Sequence, residues 1–189
     1  MSKGPQSLGG ITSSVVGGNQ AITTQSFTEL NSKLGSQFEA AFYSGGIPAG
    51  ASVFLSFEVG ASADVLVKDI DVQFNSELIS STLFVDPVFS GGSAIQAYNF
   101  KDSSSMPADV ILLGAVVPSS NGTQISPEIV SIGSTATGNK TISAVGLGTG
   151  IERVLSKGST YLYRITNLAS SAVDVAGVVF WYQGPLSVD

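Results

Sequence analysis

The fold of this chain is decided by one C-terminal stretch, Val173-Asp-Val-Ala-Gly-Val-Val-Phe-Trp-Tyr182. Alternate residues of a β-strand point to opposite faces, so Val175, Val179 and Trp181 share one side of it. The other side carries Ala176, Val178, Phe180 and Tyr182 and is apolar as well. A strand of a simple two-layer sandwich keeps one face in water. The stretch therefore predicts a strand whose second face is covered by a loop or by another subunit, and the low surface charge favours a subunit.

The same alternation recurs upstream. In Ser52–Val59 it places Val53, Leu55, Phe57 and Val59 on one face, and in Asp69–Phe74 it does the same for Ile70, Val72 and Phe74. Val65 and Val67 have the opposite phase, which predicts a bulge near Lys68. Further strands are predicted at Ile79–Val85, Ala94–Phe100, Val110–Val117, Ile125–Ile132, Lys140–Val145 and Tyr161–Thr166.

Turn-forming residues separate these strands. They occur at Gly45–Gly50, Asp86–Pro87, Gly91–Gly92, Ser103–Pro107, Pro118–Gly122 and Gly133–Gly138. About eight to ten short strands at this spacing, without a convincing long helix, are typical of sandwiches and jelly rolls. The chain is therefore predicted to be all-β, a jelly-roll-like antiparallel β-sandwich.

Two regions are predicted along the chain. Residues 1–24 have no lasting periodicity, so an extended N-terminal arm is expected there, disordered alone or ordered against a partner. Residues 25–189 form the β-sandwich (jelly-roll) domain. Within it Ser26–Leu34 fits either a capped helix or a strand, and the strand is expected to begin near Gln37.

Composition argues against most enzyme classes. The chain of 189 residues has no histidine and no cysteine, and it holds 8 basic and 14 acidic side chains. Histidine is the usual proton carrier near neutral pH, and cysteine is the strongest ready nucleophile. A metallohydrolase, a thiol enzyme and a Ser–His–Asp hydrolase are therefore not expected. The charged fraction is 12%, about half that of an ordinary soluble domain, and a surface with so few charges favours association.

Charge and hydropathy also bear on partners and location. The net charge is −6 and the eight basic residues are scattered, whereas nucleic-acid binding needs a concentrated positive surface. The longest apolar runs, Val110–Val117 and Val175–Tyr182, are shorter than the roughly 20 residues of a membrane helix. Met1–Gly10 lacks a secretion-signal pattern. No nucleic-acid partner and no membrane partner are predicted, and synthesis in a cytoplasm is expected.

Four local patterns are candidates for sites. Gly146–Gly150 resembles a nucleotide loop but lacks the flanking strand–helix context, so a hairpin loop is expected. Asp69 and Asp71, with Asp64 nearby, are interpreted as a solvent-facing strand side that discourages edge pairing. Asn121-Gly-Thr and Asn139-Lys-Thr match the acceptor pattern for N-glycosylation, and both matches are interpreted as coincidental. Asn121–Gly122 is interpreted as a hairpin turn.

The fourth pattern is aromatic. Six residues could form a sugar-stacking platform, although packing is their default role: Tyr43, Tyr98, Tyr161, Tyr163, Trp181 and Tyr182. No catalytic, cofactor-binding or metal-binding residue is predicted, and no cofactor is expected.

The C-terminal part resembles a family. Gly150-Ile-Glu-Arg-Val-Leu-Ser-Lys-Gly-Ser-Thr-Tyr-Leu-Tyr-Arg-Ile-Thr-Asn167 followed by Val178-Val-Phe-Trp-Tyr-Gln183 looks like a segment of small structural proteins of tailed bacteriophages. The stretches Ile47–Gly60 and Val67–Phe74 are similar in kind, so the resemblance covers about residues 37–183. It implies a jelly-roll virion protein, commonly a trimer, with a terminal arm that grips the shell. The family pattern marks no functional residue.

The expected function follows from this resemblance. It implies a non-enzymatic virion structural protein on the capsid exterior, a decoration (cement) protein that bridges and stabilises major capsid subunits as a homotrimer. The alternative is a head or tail fibre or knob protein that binds a host-surface receptor or glycan. An enzyme using a carboxylate pair is not supported, because no suitably separated pair is evident.

The expected core anchors share an inward strand position. They are Val53, Leu55, Phe57, Ile70, Val72, Phe74, Leu162, Ile165, Val179 and Trp181.

Overall fold

A computed structural model of the chain describes residues 6–8, 11–16, 19–24, 34–75, 78–132 and 153–184. Nearly all of its regular structure is β. The strands are β1 (Gln6–Leu8), β2 (Ile11–Val16), β3 (Asn19–Thr24), β4 (Gln37–Ile47), β5 (Ser52–Val59), β6 (Val65–Phe74), β7 (Leu78–Val85), β8 (Val88–Ile95), β9 (Tyr98–Asn99), β10 (Val110–Ser120), β11 (Thr123–Gln124), β12 (Ile129–Ile132), β13 (Arg153–Leu155), β14 (Thr160–Asn167) and β15 (Val173–Gln183). Among these residues no helix has the length and apolar character that a membrane span requires.

Two large antiparallel sheets form a sandwich. The larger sheet has the order β11-β7-β14-β5-β10-β8, with β12 also paired to β7, and the smaller sheet has the order β13-β6-β15-β4-β9. From β4 to β7, and again from β13 to β15, each successive strand lies in the opposite sheet. The predicted all-β antiparallel sandwich is therefore confirmed.

The main core lies between the sheets. Strand β14 of the larger sheet contributes Tyr161, Tyr163 and Ile165 to this core. Strand β15 of the smaller sheet contributes Val175, Val179 and Trp181. Nine of the ten predicted anchors belong to this cluster or pack against it. The exception is Leu162, which is fully buried on the opposite face of β14.

The predicted bulge in β6 is confirmed at Lys68. Phe180 of β15 lies opposite Asp69, but the next residue, Trp181, lies opposite Val67, so Lys68 has no opposite residue on β15. The extra residue changes the phase of the strand. Val65 and Val67 consequently reach the same core as Ile70.

Strands β8 and β10 form a bent two-stranded ribbon, which explains the burial of Leu162. Strand β10 pairs with β5 only as far as Gly114, while its second half pairs with β8 alone. The backbone has positive φ at Ala115 (55°), Gly91 (67°) and Gly92 (111°). The ribbon bends at these residues and brings Val116 against Leu162 on the outer face of the larger sheet. The prediction of a turn between strands at Gly91–Gly92 is wrong, because both glycines bend a continuous strand.

Other boundaries also differ from the prediction. The segment predicted as one strand at Ala94–Phe100 contains the end of β8 and the short β9, and the chain crosses there from one sheet to the other. In the predicted strand Ile125–Ile132, only Ile129–Ile132 is a strand. Asn121–Gly122 connects β10 to β11, with φ of 82° at Gly122, but it is not the predicted hairpin turn, because β10 and β11 do not pair with each other.

The N-terminal region contains strands that the sequence did not predict. β1, β2 and β3 form a three-stranded antiparallel sheet in that order, and none of them pairs with a described strand of the sandwich. The predicted strand start at Gln37 is confirmed. Most of Ser26–Leu34, the predicted strand Lys140–Val145 and the loop Gly133–Gly138 lie outside the described residues.

Candidate functional site

A cleft opens on the side of the sandwich where β10 leaves β5. Its walls are residues 41–44 of β4, residues 52–55 of β5, residues 93–96 and the bend at residues 114–116. The cleft has a volume of about 510 Å³, within the range of small-molecule and side-chain pockets. It exists because the bend carries the second half of β10 away from β5, so residues 52–54 have no strand beside them on that edge among the described residues.

The chemistry of the cleft is neutral. Its apolar surface comes from Phe42, Val53, Leu55 and Ile95, and its polar surface from serine hydroxyls and the Gln96 amide. None of the described residues that line it is charged. Such a cleft can bind apolar side chains or an uncharged chain with hydrogen-bonding groups. It offers no side chain that would carry a proton in a reaction near neutral pH.

A backbone outlier lies in the wall of the cleft. Ala115 has φ of 55°, the left-handed region that a residue with a Cβ adopts at a cost of roughly 1–3 kcal/mol. Gly92, on the neighbouring strand, has no space for a side chain, since a Cβ there would lie 2.8 Å from Val116 Cγ1. The shape of the cleft therefore depends on a bend that the surrounding packing holds in place.

The outer face of the smaller sheet is a second candidate. Ala176, Val178 and Phe180 of β15 are half-exposed in its centre. Tyr182 on the same face is 1% exposed, and Phe100 reaches Phe180 with 6.2 Å between ring centroids. The loop that contains Phe100 thus covers one end of the face predicted to be covered, while Ala176, Val178 and Phe180 stay partly exposed in the part of the chain that the structure describes.

Three carboxylates flank the apolar residues Ala176, Val178 and Phe180. Asp69 and Asp71 of β6 lie opposite Phe180 and Val178, and Glu39 of β4 lies opposite Phe180 on the other side. Asp69 and Asp71 share one strand face, as the sequence predicted. In the described part of the chain, no three Asp or Glu residues are grouped closely enough to hold a metal ion. The pair therefore contributes negative charge to the rim of an apolar surface.

Asp69 has a raised pKa. Partial burial is the main cause, and the neighbouring Asp71 charge adds to it, while the Ile70 backbone N–H and Lys68 act in the opposite direction. The folded protein therefore binds a proton at this carboxyl more readily than the unfolded chain does. The contribution of the group to stability is full below its ordinary pKa and is lost as the pH rises through the raised value.

Replacing Asp69 with asparagine is therefore expected to stabilise the fold slightly at pH 7 and to leave it unchanged near pH 3. Urea unfolding of the variant and the natural protein at both pH values measures the difference. Asp102→Asn, in an exposed loop, is the control. An Asp69→Asn variant that loses stability at pH 7 would contradict this account of the pair.

The outer face of the larger sheet carries a smaller apolar cluster. Phe84, Val116 and Leu162 are buried there. The Arg164 guanidinium lies over the Phe84 ring at 5.0 Å from its centroid, and its Nη2 is 3.5 Å from Thr82 Oγ1. This cluster is closed by the bent ribbon of the same chain, so it serves the fold and leaves less surface for a partner.

The six aromatic residues do not form a sugar-stacking platform, and four of them have the packing role that the sequence predicts. Tyr161, Tyr163, Trp181 and Tyr182 are buried, and only Tyr43 and Tyr98 are exposed. Burial raises the pKa of Tyr163 to about 12, the nearby Ser81 hydroxyl opposes the shift and the charge of Asp69 adds to it, so this phenol stays neutral. Alternation alone could not separate buried from exposed tyrosines, because the two faces of each sheet are both partly apolar.

Other sequence patterns have little to add. Gly146–Gly150 and Asn139 lie outside the described residues. Asp64 has a different partner from Asp69 and Asp71, because its Oδ1 accepts a hydrogen bond from the Lys157 backbone N–H at 2.9 Å. The cleft was not predicted, and the only sequence signal near it was the glycine pair Gly91–Gly92.

No protein-family model, no curated protein and no solved structure matches the chain.

Proposed function

We propose that the chain is a non-enzymatic structural protein of a virion, a capsid decoration or cement protein that acts as a homotrimer on the capsid exterior. The observation that carries this proposal is the open outer face of the smaller sheet. Its centre is apolar at Ala176, Val178 and Phe180. Exposed Tyr43 lies opposite Ala176, and exposed Tyr98 lies on the far side of Glu39. Partly exposed apolar side chains grouped on one sheet face, with a polar rim, are typical of protein–protein contact sites.

The strand order supports the jelly-roll part of the proposal. In the smaller sheet the first long strand of the sandwich, β4, lies beside the last, β15, which is followed by β6 and β13. The larger sheet has the same arrangement with the neighbouring strands in sequence. In it β5 lies beside β14, β14 lies beside β7, and β7 pairs with β11 and β12. An eight-stranded jelly roll made of two Greek keys is expected to interleave early and late strands in this way, and β8–β10 would then be an insertion.

The surface chemistry supports assembly. With a charged fraction of 12%, the outer faces depend on serine, threonine and exposed aliphatic side chains such as Ile111, Val130 and Ile132. Burial of apolar area between subunits contributes roughly 25 cal/mol per Å². Sandwich faces that bridge neighbouring capsid subunits would therefore stiffen a shell against the pressure of packaged DNA.

The solution mass of the purified protein tests the assembly. Light scattering at micromolar concentration is expected to give a mass near three times 19.3 kDa. Val178→Lys places a cation opposite Asp71, so the single chain tolerates it while the apolar interface does not. This variant is expected to have the mass of one chain. Val130→Lys on the larger sheet is the matched control and is expected to keep the trimer.

Binding to shells tests the decoration role. Shells of the major capsid protein encoded in the same genome are mixed with the protein and sedimented. The expected result is co-sedimentation at a fixed ratio and a higher melting temperature of the shells. A trimer that fails to co-sediment would remove the decoration role and favour the fibre role.

The alternative function is a head or tail fibre or knob that binds a host-surface receptor or glycan. Exposed Tyr43 and Tyr98 on one face favour it, because tyrosine rings stack on sugars and carry a hydroxyl. Binding of host-surface polysaccharide that is lost in Tyr43→Ala and Tyr98→Ala, without a change in solution mass, would support this role over decoration.

A further inference from the structure

One edge of the smaller sheet has few pairing partners among the described strands. On the side away from β15, the described strand that pairs with β4 is β9, at Phe38 and Glu39, and the Phe100 N–H extends this by one bond to the Gln37 carbonyl. From Ala40 to Ile47 no described strand lies on that side. The backbone N–H and C=O groups of such an edge are a template for another strand.

The unpaired edge borders the cleft. Residues 41–44 form one wall of the cleft, and Phe42, Val53 and Ile95 lie behind it. A strand added to β4 in line with β9 would place every second side chain over this apolar surface. The cleft has no charged lining residue, so the added strand must be uncharged on the side that faces it.

The chain itself contains a segment with these properties. Residues 4–28 include no Asp, Glu, Lys or Arg. The segment contains β1, β2 and β3, and among the described strands β3 (Asn19–Thr24) has one partner, β2. Its six residues fit within the free length of β4. The strands of this segment have only three to six residues, and an isolated sheet is stable only when it has a hydrophobic face or packs on another element.

We propose that β3 of a second copy of this chain adds to the free edge of β4 and closes the cleft. Addition at the free edge of β3 leaves the pairs among β1, β2 and β3 intact. In the single chain β3 and β4 are not paired to each other. Residues 25–36, between the two strands, span up to about 40 Å when extended, which is enough to reach a neighbour.

This inference goes beyond the proposed function, since it concerns contacts between copies and needs no shell. It assigns the N-terminal region to a neighbouring copy, whereas the resemblance to phage structural proteins implies an arm that grips the shell. Main-chain hydrogen bonds along β4 would supply affinity, and the neutral cleft would supply selectivity for the uncharged segment. In copies joined in this way, β3 of one copy becomes a strand of the smaller sheet of its neighbour.

Site-specific crosslinking tests the proposal, and the absence of natural cysteines makes each introduced thiol unique. Ala21→Cys in β3 and Ala41→Cys in β4 are purified separately, mixed and treated with a short bismaleimide. The expected product is a species of two chains in which peptide mass spectrometry identifies a link between positions 21 and 41. In the control reaction, Thr123→Cys replaces the β4 variant; Thr123 lies on β11, at the edge of the larger sheet away from β8. The yield of the 21–41 link is expected to be at least ten times the yield of the control.

A blocking variant separates docking from chance contact. Ser93 is exposed and lines the cleft, so Ser93→Lys introduces a charge there without removing core packing. The variant is expected to keep its melting temperature and to lose the link between β3 and β4. A link that persists in Ser93→Lys, or forms equally with Thr123→Cys, would overturn the proposal.

The remaining outcomes are also decisive. A link between β3 and β4 found only within single chains carrying both substitutions would show that β3 docks on its own copy and would overturn the proposal. A trimer by light scattering that gives no such link would refute strand addition while leaving the proposed assembly intact. A link formed by a protein whose mass is that of one chain at low concentration would support strand addition and count against the trimer.

Discussion

Replacing Trp181 with alanine is expected to lower the free energy of unfolding by about 3–5 kcal/mol. The indole is 1% exposed, and it stacks on Phe38 with 5.7 Å between ring centroids and 14° between the planes. It lies on β15, which pairs with both β4 and β6. Alanine would remove the largest buried side chain of the core and leave a cavity that rigid sheet neighbours cannot fill.

Urea unfolding followed by circular dichroism measures this loss, since the variant has no tryptophan left for fluorescence. Tyr98→Ala is the control, because the Tyr98 ring is 62% exposed and its removal leaves no cavity in the core. A loss below about 1 kcal/mol for Trp181→Ala would show that the indole is not buried between the sheets.

Replacing Gly177 with valine is expected to lower the free energy of unfolding by about 3 kcal/mol, at the upper end of the range for overpacked cores. A Cβ at this position would lie 2.5 Å from the Asp71 carbonyl oxygen and 2.5 Å from Cζ of Phe42. The carbonyl belongs to a paired strand and cannot move freely. The ring of Phe42 lies across Gly177, so the glycine is required by a close approach and not by a turn.

Thermal unfolding of Gly177→Val beside Ala176→Val measures the effect. Ala176 is the neighbouring residue on the half-exposed outer face, where extra methyl groups meet solvent, so its variant is expected to change stability little. A double variant, Gly177→Val with Phe42→Ala, would recover part of the loss if the ring contact matters. Equal stability of both single variants would contradict the packing seen around β15.

The inward faces of the long strands could be predicted because alternation is a local property of the sequence. Leu55 and Phe57 of β5, Ile70 and Val72 of β6, and Val179 of β15 were predicted to point into the core, and all are buried there. The bulge at Lys68 was also predictable, because it appears as a change of phase within one strand. Each of these inferences needs only the residues of a single strand.

The candidate sites could not be predicted in the same way. Leu162 was expected between the sheets and is buried on the outer face, because the β8–β10 ribbon folds over it. Gly91 and Gly92 predict a turn but bend a continuous strand, because a glycine pair is compatible with both the end of a strand and a bend within it. The cleft exists because β10 leaves β5 at Gly114, and no residue of β5 signals that loss of its neighbour.

By itself the sequence determined that this protein is built from antiparallel strands with a large apolar core and a weakly charged surface, because period-two alternation and composition act locally. The tertiary structure decided which strands are neighbours, which tyrosines are exposed and where the free edge of β4 and the cleft lie. Pairing such as β4 with β15, or β5 with β14, joins residues more than 100 positions apart. The energy of those contacts depends on both partners at once, so neither strand alone can specify them.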